Sequence, residues 1–348
     1  MMITMLDVAK KAGVSKATVS RVLAGNNYVS KATHERVFKA IEETGYRPNL
    51  LARNLATSKS QNIGLVVTNT LYNGPYFNEL LFQAATVTEQ HGRQLILADG
   101  KHDARQERQA IEFLLDLRCD AIIIYPRFLN TSELDDIIEQ TSRPIIVVNR
   151  WLEKHPAHCV IAAHEKNSFE AVNYLVAQGH RDIAFIHGAP DSPTGLSRFK
   201  GYHKALQAHD IHLDERLVAQ GEWTLQSGFN AVQELMSRGV AFTALVASND
   251  DMAMGAARAL YAAGKRIPQD VSLLSFDDIP MASFFVPPLT TVHVPVGEMI
   301  RHTLEKLVLM LGGHASQPLP AIAGSLMVRD SVAPGPWRGA EPLLQSKP

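Results

Sequence analysis

The stretch Thr4-Met-Leu-Asp-Val-Ala-Lys-Lys-Ala-Gly-Val-Ser-Lys-Ala-Thr-Val-Ser-Arg-Val-Leu23 decides how the chain begins. Thr4 and Asp7 have capping-box spacing: the Thr4 hydroxyl is expected to accept from the third helical amide while Asp7 reaches back. A short helix then runs to about Ala12, with Leu6, Ala9 and Ala12 toward one side. Gly13 ends it, since glycine tolerates the left-handed backbone of a tight turn. Ser15 is the next N-cap, and Lys16 to Leu23 reads as a second helix with Val19, Val22 and Leu23 inward. Helix, short glycine turn and helix is the helix-turn-helix arrangement. A third helix follows from its cap Ser30 to Thr44, with Val37, Ala40 and Ile41 apolar and Gly45 as its stop. A three-helix bundle that merely solvates its lysines has the same periodicity, so the pattern alone leaves both readings open.

Charge sharpens the contrast between this head and the rest. The 348 residues carry a formal net charge of -1, yet residues 1–60 hold ten Lys and Arg against four acids, or +6, and the remainder is -7. A basic head on an acidic body points to a polyanion partner for the head alone. Lys16, Ala17 and Arg21 stand near the start of the second helix, where base edges are read. Arginine can grip guanine O6 and N7, and alanine can pack on a thymine methyl. Thr18 and Ser20 are short hydroxyls suited to phosphate.

Beyond Ile63 the chain alternates short apolar runs with helical segments. Strands are expected at Ile63–Thr68, Gln94–Ala98, Ala121–Tyr125, Ile145–Val148, Cys159–Ala162, Ile183–His187, Ala244–Ala247 and Val271–Phe276, with helices between them. This rhythm implies doubly wound parallel sheets. About nine such strands exceed one modest sheet, so two lobes follow, with a small-molecule cleft beyond the strand C-termini. The fold class is therefore α/β: an all-α helix-turn-helix head and a two-lobed body. Composition, 46% hydrophobic and 20% charged, is that of a folded globular protein. No secretory signal or membrane-length apolar run is legible, and Cys119 and Cys159 belong to no CxxC pair, which fits a cytoplasmic setting. No GxGxxG follows the first strand, and GxxxxGK[ST], GxSxG and HExxH are all missing. No cofactor and no metal are expected, the His155/His158 and His209/His212 pairs reading as surface residues.

The head from Met5 to Leu23, together with Gly45-Tyr-Arg-Pro-Asn-Leu-Leu-Ala-Arg-Asn-Leu55, resembles the lactose/galactose repressor (LacI/GalR) family nearly residue for residue. The resemblance continues through Gly179-His-Arg-Asp-Ile-Ala184, Arg198-Phe-Lys-Gly-Tyr202, Val246-Ala-Ser-Asn-Asp-Asp-Met-Ala-Met-Gly-Ala256, Gly264-Lys-Arg-Ile-Pro-Gln-Asp-Val-Ser272, Phe276-Asp-Asp278 and Pro288-Leu-Thr-Thr-Val292, to about Asp330. It implies a transcriptional repressor, not an enzyme, that acts as a homodimer on a palindromic double-stranded operator under control of a sugar, with no membrane partner. The body would be periplasmic-binding-protein-like. The implied domains are a helix-turn-helix domain at 1–47, a hinge helix and linker at 48–61, an effector and dimerisation domain at 62–338, and a tail at 339–348. Its lobes would be about 62–160 with 295–325, and 161–294 with 326–338.

The resemblance also implies the site residues. DNA contacts fall on Thr4, Leu6, Ser15, Lys16, Ala17, Thr18, Ser20 and Arg21, and on Asn49, Ala52, Arg53 and Leu55 of the hinge, Leu55 being a minor-groove wedge. Seven hinge residues are too few to hold a helix alone, so the hinge is expected to order only with a second copy and DNA. Effector contacts fall on Arg198, Trp223, Asn249 and Asp277, joined by Asn149, and by Asn69, Tyr72 and Phe77 on the first-lobe wall. An arginine fork and acceptors suit vicinal hydroxyls, and an indole covers a sugar's C–H face. Each has a plainer reading: Asn249 as a helix cap, Arg198 as a surface residue, Trp223 as a core aromatic, Asp277-Asp278 as a turn. Val294 and Val296 stand where the lactose repressor has Gln and Phe, and Asn149 where it has Asp. The implied effector is accordingly a different sugar; the head and the segments Asn69–Tyr72, Arg118–Ile122 and Ala247–Asp251 resemble a β-glucoside-responsive branch of the family, which implies a β-glucoside of the arbutin, salicin or cellobiose kind. The tail after Asp330 has no leucine heptad, which favours a dimer over a tetramer.

The residues speak against two rival readings. A sugar-transport protein would use the body alone but has no use for a basic helix-turn-helix head. A glycoside-cleaving enzyme would need Asp277 and Asp278 as a carboxylate pair, and adjacent residues after a strand point to opposite sides.

Overall fold

The computed structural model describes residues 3–23, 29–46, 60–68 and 74–336. The candidate residues Asn49, Ala52, Arg53, Leu55, Asn69 and Tyr72, the hinge helix and the tail at 339–348 lie outside them. Two compact units result, Met1–Gln61 and Asn62–Pro348.

In the first unit, α1 spans Met5–Ala12, α2 Lys16–Leu23 and α3 Lys31–Thr44. Ser30 caps α3 by accepting from the Thr33 amide at 3.3 Å. Gly13 and Gly45 end α1 and α3 at φ of 65° and 66°. The Thr4 hydroxyl donates to the Asp7 carboxylate at 2.7 Å, alongside the Thr4 amide at 2.9 Å. The expected capping box is thus in place, with the hydroxyl also donating to the carboxylate, and these bonds hold the Asp7 pKa below the usual carboxylate range. Val8, Ala9, Ala12, Val19, Val22, Val37 and Ala40 form the core. Leu6, expected inward, is half exposed, and Val8 takes the buried place. An eight-residue helix fits two registers of the same periodicity, and docking on α3 chooses between them.

The second unit holds two sheets. In the first, β1 (Asn62–Val67), β2 (Gln94–Asp99), β3 (Ala121–Ile124), β4 (Ile145–Val148) and β5 (Cys159–Val160) lie in the order β2-β1-β3-β4-β5, all parallel. On one face, α4 (Pro75–Gln90) and α11 (Val296–Leu311) pack on Ile63, Leu65 and Ile123. On the other, α5 (Ala104–Asp116) and α6 (Thr131–Gln140) pack on Val66, Ile122 and Ile124. The alternation follows from period-two strand geometry, and burial on both faces explains why these strands read as continuous apolar runs.

The second sheet has six strands in the order β11-β10-β9-β8-β6-β7. These are β6 (Ile183–Ile186), β7 (Val218–Ala219), β8 (Ala244–Ala247), β9 (Ser272–Asp277), β10 (Thr290–His293) and β11 (Ser325–Met327). Helices α7 (His164–Ala177) and α8 (Pro193–Ala208) cover one face, α9 (Leu225–Ser237) and α10 (Asp250–Ala262) the other. Strands β7, β10 and β11 were not foreseen, and β11 pairs antiparallel with β10 against the expected all-parallel rule.

Three segments run between the sheets: β5 to α7, β10 to α11, and α11 to β11. The first and third are pinned to each other, since the Ala163 amide donates to the Ile322 carbonyl at 2.8 Å and Ile322 to Ile161 at 2.9 Å. Among the described residues, no helix is long and apolar enough to cross a membrane.

Candidate functional site

In the first unit, Lys16, Ala17, Ser20 and Arg21 are exposed on α2. Their spacing of i, i+1, i+4 and i+5 places them on one face, opposite the buried Val19 and Val22. Among the described residues Lys16 and Arg21 form no ion pair, so their charges are available to a partner. Ser15 and Thr18 are partly committed: their hydroxyls lie 2.9 Å apart, and Ser15 accepts from the Thr18 amide. Thr4 and Leu6 are exposed.

In the second unit the candidate residues gather where strands of both sheets end. Arg198, on α8, is 2% exposed, and its guanidinium donates to Asp277 at 3.0 Å and to the Ser248 carbonyl. It stacks over Phe276 at 4.6 Å and lies 5.9 Å from the Trp223 ring. Asp277 closes β9 at φ 111°, a left-handed conformation that costs a non-glycine residue energy. Burial pushes its pKa up to about 6, against the pull of Arg198. Trp223 and Asn149 also have positive φ, 66° and 56°. Three such residues at one site mark a backbone held for its side-chain placement.

Asn249 realises its plainer reading. Its carbonyl caps α10 by accepting from the Met252 amide at 2.9 Å, and its NH2 donates to the Trp223 carbonyl at 3.1 Å. The indole of Trp223 lies against Gly188, where an added Cβ would stand 2.0 Å from a ring carbon. Gly188→Ala is expected to displace the ring, changing tryptophan fluorescence and costing about 1–3 kcal/mol of stability, as overpacking does. Unchanged fluorescence and urea midpoint would refute this packing.

The first lobe supplies a polar wall. Asn149, directly after β4, donates to the Tyr125 hydroxyl at 2.9 Å and the Tyr76 hydroxyl at 3.3 Å. Its carbonyl accepts from the Ala162 amide on the first crossover at 3.3 Å. Burial raises the pKa of both phenols, and Asp277 and Arg198 act on them electrostatically from the other lobe. Phe77, expected on this wall, is instead packed in the first-lobe core. Neighbouring positions on a helix point about 100° apart, and here Tyr76 takes the polar side. Arg127 and Asp191 join the lobes by an ion pair of 2.6 Å.

Tyr76, Tyr125 and the buried Glu107 were not singled out in the sequence. Tyr125 could have been, because it directly follows an apolar strand, at the end where such sheets bind ligands. Glu107 accepts from the amides of Arg127, Phe128 and Leu129 at 2.7, 3.0 and 2.7 Å, fixing the loop after β3. The carboxylates Asp277 and Asp278 part company: Asp278 pairs with Arg329 at 2.7 Å and His293 at 3.3 Å. That geometry removes the paired-acid reading. Among the described residues, no three His, Cys, Asp or Glu side chains gather to hold a metal ion.

Residues 4–49 match the bacterial regulatory proteins of the lacI family, and 172–332 a periplasmic binding protein-like domain. The HTH-type transcriptional regulator AscG of Escherichia coli is 57% identical over 95% of this chain and 98% of its own. The lac repressor dimer bound to operator is 28% identical, with a TM-score of 0.88 over 96% of this chain and 100% of that one. The transcriptional regulator CelR–cellobiose complex is 30% identical, with a TM-score of 0.72 over 94% of this chain and 99% of that one. These relatives are regulators rather than enzymes. The chain belongs to the lacI family of DNA-binding, sugar-responsive transcriptional repressors.

Proposed function

We propose that this protein is a cytoplasmic homodimeric repressor that binds a palindromic operator and answers to a β-glucoside held between its lobes. The observation that carries the ligand reading is the buried Arg198–Asp277 pair beside Trp223, facing Tyr76, Tyr125 and Asn149. A donor fork, carboxylate and amide acceptors and an aromatic face are what a sugar needs. The cellobiose complex of one relative and the operator complex of another agree with this reading. Exposed apolar side chains on the body, among them Phe82, Leu225, Met281 and Phe284, suit burial against a second copy.

In this mechanism α2 of each head reads one half-site through Lys16, Ala17 and Arg21, and Leu55 of each hinge wedges the central step. Ligand shifts the lobes at the dimer contact and thereby the hinges. Its leverage is its differential affinity for the two states, typically ~1–3 kcal/mol. Leu55→Ala is expected to weaken operator binding by about 1–3 kcal/mol and to leave random-sequence DNA binding nearly unaltered. Equal losses on both duplexes would refute the wedge.

The deciding experiment is fluorescence anisotropy on a duplex from the gene's own upstream region, with and without cellobiose and salicin. Release by either sugar supports the reading. Tight binding indifferent to both removes the ligand class and keeps the repressor.

A further inference from the structure

A cavity of about 260 Å³ lies between the lobes, lined among others by Asn149, Arg150, His164, Thr194 and Ser197. His164, 7% exposed, has neither ring nitrogen hydrogen-bonded. The Nε of Arg150 and the Nε of Arg198 are likewise buried without a partner. Buried polar atoms left unpaired are costly, and those of His164 and Arg150, which line this cavity with Arg198 acting on His164 electrostatically, indicate a polar occupant. The surplus consists mostly of N–H donors, so the occupant must be rich in acceptors.

Charge points the same way. Among the described residues, Arg150 has no carboxylate within 4 Å; one of its terminal nitrogens donates to the Leu129 carbonyl at 3.2 Å. Of the nearby acids, Asp191 pairs with Arg127 and Asp277 with Arg198, while Glu107, bound to three neutral amides, acts on Arg150 only from beyond ion-pair distance. Two helices also start at this cavity. His164 is the first residue of the 14-residue α7, and Thr194 and Ser197 lie in the first turns of the 16-residue α8. The first amides of a helix have no carbonyl of their own helix to bond, and the dipole there is positive. Burial, and after it the Arg198 charge, hold the His164 pKa well below its usual value.

We propose that this cavity is an anion subsite that receives a phosphoryl or carboxylate group carried by the effector sugar. The inference rests on the proposed sugar-responsive cleft and narrows its ligand to acidic sugars. Arg150 supplies a cation without a direct ion pair, His164 and Thr194 supply directional hydrogen bonds, and the two helix starts supply the field. The sugar ring lies against Trp223, with its charged substituent toward Arg150.

Calorimetry on the full-length protein tests this with salicin, salicin phosphorylated on the glucose C6 hydroxyl, phenyl β-glucuronide and inorganic phosphate. The phosphorylated or the carboxylate sugar is expected to bind about ten- to a hundredfold more tightly than salicin, the range of a charge-assisted hydrogen bond. Arg150→Met should bring that ratio toward one, and Arg150→Lys should keep part of it. Operator binding by the variants reports whether they are folded, and Thr194→Val provides a second, milder probe of the ratio. Inorganic phosphate that binds as tightly as the sugar phosphate and is lost in Arg150→Met sustains the anion site and assigns it to free phosphate. Acidic sugars no tighter than salicin, or a gain that survives Arg150→Met, overturn the proposal. In either of those cases binding of salicin itself would leave the β-glucoside reading standing, whereas phosphate binding without any sugar would remove that reading alone.

Discussion

Asp277→Asn is expected to bind operator DNA as tightly as the wild type and to lose most of its response to the effector. The substitution keeps an acceptor oxygen for the Arg198 guanidinium, 3.0 Å away, and removes the negative charge. A hydrogen bond to a charged group contributes about 1.5–3 kcal/mol, so effector affinity should fall about ten- to a hundredfold. Alanine is the poorer test, because stranding a buried arginine costs about 3–5 kcal/mol and confuses folding with binding. The same argument gives a pH dependence. Asp277 has a pKa near 6 in the folded chain, so its charge, and the effector response with it, should fade as pH drops through that value. Anisotropy titrations of wild type and variant between pH 5 and 8 measure both effects. A variant that releases operator at the wild-type sugar concentration would refute the assignment.

The second large effect is one of stability. Glu107 is fully buried, and its carboxylate accepts three consecutive backbone amides after β3. Glu107→Ala leaves those amides unpaired in the interior. At about 1–3 kcal/mol for each buried unsatisfied group, partly relieved by entering water, the loss should reach about 3–5 kcal/mol. Glu107→Gln keeps one acceptor oxygen and should lose about half as much. Urea unfolding of the three proteins decides it, and a loss below about 1 kcal/mol for alanine would contradict the geometry. The loop also aims Arg127 at Asp191 across the lobes, so the variant should weaken that link too.

How much of this was legible beforehand depends on how far apart the cooperating residues lie. The head helices were readable to the residue, because Ser15, Ser30, Gly13 and Gly45 act within one turn. The sidedness of Leu6 was not, since it depends on how α1 docks on α3. Strands buried on both faces announced themselves as apolar runs. In contrast, β7 has two residues, and β11 exposes Ser325 and Met327. Arg198, Trp223 and Asp277 came from family resemblance, not from periodicity. Tyr76 and Tyr125 meet at Asn149, and His164 lines a cavity with that asparagine, only because strand ends of both sheets converge, a fact of topology no local window contains. Glu107 is a charged residue inside a helix whose partners lie twenty or more positions downstream.

The return of α11 to the first sheet has a consequence for synthesis. That sheet has all its strands once Val160 has emerged from the ribosome, yet Val296, Met299, Ile300, Leu304 and Leu307, which cover one of its faces, follow much later. Leu307 is 147 residues beyond Val160. At about 5–20 residues per second this is a wait of roughly 7–30 s, with an apolar sheet face only half clad by α4. The second lobe is translated in that interval and finishes its own core except for β11, which must wait for α11 to pass. The nascent chain therefore carries a sticky surface through nearly half of its manufacture, and the two lobes close almost together, at the end.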